Sequence, residues 1–128
     1  MTYTINRMMA DASIDDVDAR TRKALADQGF GVLTEIDVKA TMKKKLDVEM
    51  PAYRILGACN PSMAYKAIGL ESRVGAMLPC NVILREVEGG VEVSVIDPVA
   101  SMQAIPNAEL KAVAGDVRDL LAKAVEAI

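Results

Sequence analysis

The stretch Asn81-Val82-Ile83-Leu84-Arg85-Glu86-Val87-Glu88-Gly89-Gly90-Val91-Glu92-Val93-Ser94-Val95-Ile96-Asp97 decides how this chain folds. Two runs rich in β-branched residues flank Glu88-Gly89-Gly90, and glycine supplies the positive φ that a tight hairpin turn needs. Val91, Val93 and Val95 fall on one side of the second strand, with Glu92 and Ser94 on the other. That period of two describes a sheet with one buried and one wet face. A doubly wound fold would cover both faces. The pattern therefore predicts a two-layer α/β (α+β) domain with helices on one face.

Upstream of the hairpin, Tyr53 to Ala58 reads as a strand and Pro61 to Leu70 as a helix ending near Gly69, with Gly75 to Pro79 as a bridge. Tyr3 to Met8 is a short strand. Ser13 is placed as an N-cap with Asp15 and Asp16 in the first turn, and Ile14, Val17, Thr21, Ala24 and Leu25 recur at helical spacing. Gly29 closes that helix, Phe30 to Ile36 reads as a strand, and Val38 to Leu46 as a short helix. Downstream, Leu110, Val113, Val117, Leu121 and Ala124 define a long amphipathic helix that begins near Asn107. Gly115 inside it costs up to about 1 kcal/mol relative to alanine, which predicts a close backbone contact there. The order β-α-β-α-β-α-β-β-α gives a mixed, largely antiparallel sheet of about five strands in one domain, residues 1–128. Strand–helix–strand recurs at 3–37 and 53–87, a pattern that admits a doubled β-α-β motif.

Composition narrows the chemistry. With 52% apolar and 26% charged residues, 128 residues suffice for a real core. No uncharged stretch is long enough for a membrane span, so no membrane partner is expected. Met1-Thr2-Tyr3-Thr4-Ile5-Asn6-Arg7 lacks the basic start and apolar core of a signal peptide, so the cytoplasm is the expected location. The chain has no histidine, which removes Ser-His-Asp and Cys-His catalysis within it. Two cysteines are too few for a closed thiolate zinc site, and no metal-ligand set is expected. A net charge of −3, one Phe, three Tyr and no Trp argue against nucleic acid as a partner.

The chemistry-bearing stretch is Tyr53-Arg54-Ile55-Leu56-Gly57-Ala58-Cys59-Asn60-Pro61. Asn60 is a good N-cap and Pro61 a favoured first helical residue, which puts Cys59 just outside a helix N-terminus. Unpaired N–H groups and the macrodipole there favour a thiolate, the reactive form of cysteine. The second cysteine lies in Leu78-Pro79-Cys80-Asn81-Val82, and both cysteines precede asparagine. Cys80 shares parity with Val82 and Leu84, the expected buried face. Asn81, disfavoured by β-propensity, needs a role such as binding or tying down the bend after Pro79. Glu35 and Asp37 share a strand face and could serve acid/base chemistry or a cation, although Asp37 is also placed to cap the helix that begins at Val38. Lys45 could reach these carboxylates. The eight methionines read as core filler, and a copper(I) site would require them to gather around Cys59.

These motifs resemble those of the prokaryotic family catalogued as domain of unknown function 302. The resemblance rests on Gly29-Phe30-Gly31-Val32-Leu33-Thr34-Glu35-Ile36-Asp37-Val38, Met42 to Leu46, Ile55 to Pro61, Ala64, Leu78 to Val82 and Asp97-Pro98. It implies an α/β domain that forms homodimers, with no settled activity. It also implies that Glu35, Asp37, Lys45, Cys59, Asn60, Cys80, Asn81 and Asp97 belong to the family pattern. The expected function is a small-ligand or thiol/redox site at the Cys-Asn-Pro junction. Cys59 is its thiol, Cys80 the partner, and Asn60, Pro61, Asn81, Glu35, Asp37 and Lys45 the candidate ligand contacts. A small anion or a thiol-type molecule is the expected ligand, and no cofactor is identified. The alternative is a non-catalytic homodimeric binding or regulatory module with structural cysteines.

Overall fold

A computed structural model describes residues 2–128. Its elements are β1 (Thr4–Ala10), α1 (Ile14–Asp27), β2 (Gly31–Asp37), α2 (Val38–Leu46), β3 (Tyr53–Cys59), α3 (Pro61–Leu70), a 3₁₀ segment (Ser72–Met77), β4 (Cys80–Val87), β5 (Gly90–Ile96), α4 (Pro98–Ser101) and α5 (Ala108–Glu126). The strands form one sheet in the order β1-β5-β4-β3-β2, and every neighbouring pair is antiparallel. The two strand–helix–strand units close differently. α1 carries the chain from one sheet edge, β1, to the other, β2, whereas α3 joins the adjacent strands β3 and β4.

The hairpin sends the valines of its second strand to one face as their alternation predicts, although Ser94 on the other face is also buried. Val91, Val93 and Val95 are buried beneath the helices, as are Val82 and Leu84 of β4 and Leu56 of β3. α5 lies across this layer against α1, α3 and α4, and Leu110 and Leu121 are wholly buried in it. Each such leucine contributes about 1.5–3 kcal/mol through burial. Gly89 takes φ +87 in the turn, and Gly90 lies so close to β1 that a Cβ would stand 2.2 Å from the Met9 carbonyl oxygen.

Helix ends follow the polar residues that precede them. The side chains of Ser13, Asp37, Asn60 and Asn107 each accept a backbone N–H in the first turn of α1, α2, α3 and α5. α1 ends in a Schellman motif: the Phe30 N–H donates to the Leu25 carbonyl, the Gly29 N–H donates to that of Ala26, and Gly29 has φ +84. The C-terminal carbonyls of α5, at Val125 and Glu126, accept from the Arg7 guanidinium of β1 at 3.0 and 2.8 Å.

One expectation needs correction. Gly115 makes no close backbone contact, and a Cβ there would enter open space. Asp97, before Pro98, caps the one-turn helix α4 and also accepts from Arg118 at 2.9 Å.

Candidate functional site: a sulfur-bearing cavity

Three neighbouring constraints place the end of β3. Asn60 has extended backbone (φ −99°, ψ 105°), and its Oδ1 accepts from the Met63 N–H at 3.4 Å, which starts α3 with Pro61 as its first residue. The amide Nδ2 lies beside Gly29, where an added Cβ would approach it to 3.1 Å. The exit of α1 and the entry of α3 are thus pressed together. One turn of strand earlier, a Cβ on Gly57 would fall 2.2 Å from Thr34 Oγ1 and 2.7 Å from Pro79 Cγ. Glycine at this position lets the Pro79 ring rest on β3. The Leu78–Pro79 peptide is cis, and β4 begins directly after it with Cys80 paired to Ala58.

A cavity of about 280 Å³ opens where these ends meet α3, α4 and α5. The strand ends contribute Ala58, Cys59 and Cys80. α3 and its cap contribute Asn60, Met63, Ala64, Ala67 and Ile68, and α5 contributes Val113, Ala114 and Val117. Phe30, Leu33, Leu78, Pro79, Pro98 and Met102 complete the wall. No charged side chain lines it, and Asn60 is its one side-chain amide. Leu33 and Ile68 are 67% and 46% exposed, so the apolar lining continues to the protein surface.

Both cysteines are free thiols in different surroundings. Cys59 is half-buried, whereas Cys80 is buried. Burial pushes the Cys80 thiol up to about 11, and the nearby Cys59 adds to the shift by disfavouring a second negative charge. Cys80 is therefore a neutral thiol at physiological pH.

The other expected site residues lie elsewhere. Asn81 is exposed on the uncovered face of the sheet, in a shallow groove with Tyr3, Tyr53, Arg85 and Ser94. It is not a second contributor to the cavity, because the strand alternation that buries Cys80 turns its neighbour outward. Glu35 pairs with Arg22 at 3.1 Å, beside an ion network in which Asp18 accepts from Arg22 at 2.6 Å and Arg54 at 3.1 Å. Asp37 caps α2 through the Ala40 N–H at 2.9 Å. Lys45 is exposed on α2, and neither it nor the two carboxylates lines the cavity. Glu35 and Asp37 do share a face, but each already has a structural partner.

Sequence reasoning missed Leu33, Met63 and Met102. Leu33 sits at the β-bulge between Val32 and Thr34, where one extra residue in β2 swings a leucine toward the cavity mouth. Met63 stands in the first turn of α3, three residues after the Asn60 cap, a spacing that could have placed it beside Cys59. Met102 arrives by way of α4, whose start at Asp97-Pro98 repeats the cap-then-proline signal of Asn60-Pro61.

Among the described residues, no group of three or more His, Cys, Asp or Glu side chains is placed to hold a metal ion. No helix there is long and apolar enough to cross a membrane. The family model described as "Domain of unknown function DUF302" matches residues 6–128. The crystal structure of an uncharacterized conserved protein DUF302 from Bacillus stearothermophilus superposes with a TM-score of 0.91 at 22% identity, covering 98% of each chain. At that identity the likeness shows the fold alone. No curated protein matches the chain.

Proposed function

The chain belongs to the DUF302 family, and from that premise we propose that it binds a compact, uncharged small molecule in the cavity at the Cys-Asn-Pro junction, with Cys59 as the thiol that meets it. One observation carries this reading: both cysteines line a single cavity that has apolar walls and no charged side chain. A neutral thiol, persulfide or oxidant suits such walls better than an anion. The Asn60 carbonyl already occupies the Met63 N–H, and no cationic side chain is present to neutralise charge. Asn60 Nδ2 is the polar handle, Pro61 fixes the helix start, and the buried Cys80 is the second thiol. A reducing cytoplasm, in which both thiols stay free, fits this role.

The test is equilibrium binding of compact apolar fluorescent probes, with alkylation of Cys59 followed in parallel. Saturable binding of one probe per chain, protection of Cys59, and weakening of both by Ala64→Leu are expected. A set of probes that neither saturates nor protects Cys59 would refute the reading.

A second observation favours a homodimer. On the uncovered sheet face Ile36, Ile55 and Ile83 stand side by side across β2, β3 and β4, with Ile36 47% exposed. An apolar row of this kind is better covered than wet. Sedimentation at micromolar concentration should give about twice the 13.7 kDa chain mass, and Ile83→Asp should reduce it to one. A wild-type chain that sediments as a monomer counts against the dimer. A dimer whose cysteines resist every reagent would favour the purely structural module over the ligand site.

A further inference from the structure

We propose that the cavity also accepts a soft, thiophilic monovalent cation of the Cu(I) class, held by sulfur from Cys59, Cys80, Met63 and Met102. Both cysteines and two of the eight methionines of the chain line this one cavity. They come from four separate places: the end of β3, the start of β4, the first turn of α3 and the residue after α4. No carboxylate lines the wall and the chain has no imidazole, so the oxygen donors of magnesium and calcium are missing, and two cysteines alone are too few for a closed thiolate zinc site. Thiolate and thioether donors select Cu(I) instead. A volume of about 280 Å³ corresponds to a sphere roughly 8 Å across, and methionine, with three rotatable bonds, can extend its sulfur inward from the wall.

The charge balance also fits. On binding, the S–H bond of Cys59 breaks, an S–Cu bond forms and the proton leaves to water, with no change of oxidation state. Cu⁺ with one thiolate and two thioethers is neutral, which apolar walls tolerate, whereas an isolated ion would be costly to bury. Cys80 joins as a second, neutral sulfur that keeps its proton, so the site stays uncharged and one proton is released. The inference rests on the same cavity as the small-molecule reading but needs no organic ligand.

The experiment is anaerobic titration of the reduced, folded protein with Cu(I) against a chromophoric chelator. One equivalent per chain, about one proton released and an ultraviolet sulfur-to-copper absorption band are expected. Cys59→Ser should weaken binding about a hundredfold, and Met63→Leu and Met102→Leu about tenfold each. The leucine changes conserve volume, so the fold persists, and circular dichroism verifies it. Failure to compete with the chelator, or affinity unchanged in both leucine variants, would overturn the proposal. If Cu(I) fails while apolar probes still bind and protect Cys59, the small-molecule reading stands and this one falls.

Discussion

The dipeptide Cys-Asn occurs twice, at Cys59-Asn60 and at Cys80-Asn81, and the backbone around each copy gives its residues different surroundings. The first copy leaves a strand and enters a helix, so its asparagine becomes a cap and its cysteine stays half-buried beside the cavity. The second copy opens a strand. Alternation buries its cysteine against the helices and turns its asparagine onto the opposite, uncovered face. Identical residues thus yield an accessible thiol in one place and a shielded thiol in the other. The contrast comes from where each strand begins or ends.

The largest expected effect removes the support that holds the second copy in place. Gly57→Ala should cost about 1–3 kcal/mol, toward the upper end because Thr34 and Pro79 must both move to admit the Cβ. With Pro79 displaced, Cys80 should also become easier to alkylate. Denaturant melts and mass spectrometry of the variant check both outcomes, and a neutral substitution would show that this packing does not seat β4.

The pH dependence of stability sharpens the contrast. In the folded protein Cys80 keeps its proton up to about pH 11, while an unfolded thiol loses it near pH 8.5. Between those values the native state binds more protons than the unfolded one, so the contribution of Cys80 is complete below about pH 8.5 and fades as pH rises toward 11. The stability gap between wild type and Cys80→Ala should therefore shrink by roughly 3 kcal/mol across that window. Melts of both proteins from pH 7.5 to 11 measure it. A constant gap would mean that the Cys80 thiol is not shielded.

The asparagines differ by the smallest margin. Asn60→Ala should cost about 0.5–2 kcal/mol through loss of the α3 cap, and Asn60→Asp should restore most of it. Asn81→Ala, on the exposed face, should stay within about 0.5 kcal/mol of wild type. Matching losses at the two positions would erase the distinction drawn here.

Much of this fold was legible because it depends on local signals. The alternating valines of β5, the glycines after Glu88, and the caps at Ser13, Asp37, Asn60 and Asn107 each act within a few residues of themselves. The parity of Cys80 with Val82 and Leu84 was readable on the same grounds. The walls of the cavity were not. Met102 and Val117 line the same cavity as Cys59 only because α4 and α5 fold back over the ends of β3 and β4, and that proximity has no period in the sequence. The bulge at Val32/Thr34, which turns Leu33 toward the mouth, also left no composition signal. Glu35 and Asn81 misled for a related reason. Asn81 follows a cysteine, but strand alternation sends the two to opposite faces, and Glu35 is engaged by Arg22 of the neighbouring helix.

The central claim is that Cys59, and not Cys80, is the chemically available thiol of the cavity. Alkylation of the folded protein at pH 8, with each cysteine followed separately by mass spectrometry, tests it most directly. A buried thiol raised to about 11 is ionised in only about one molecule in a thousand at that pH. Cys59 should therefore react at least about tenfold faster, and Cys80 should accelerate only when the protein is unfolded or the pH approaches 11. Equal rates, or faster modification of Cys80 in the folded chain, would contradict the account.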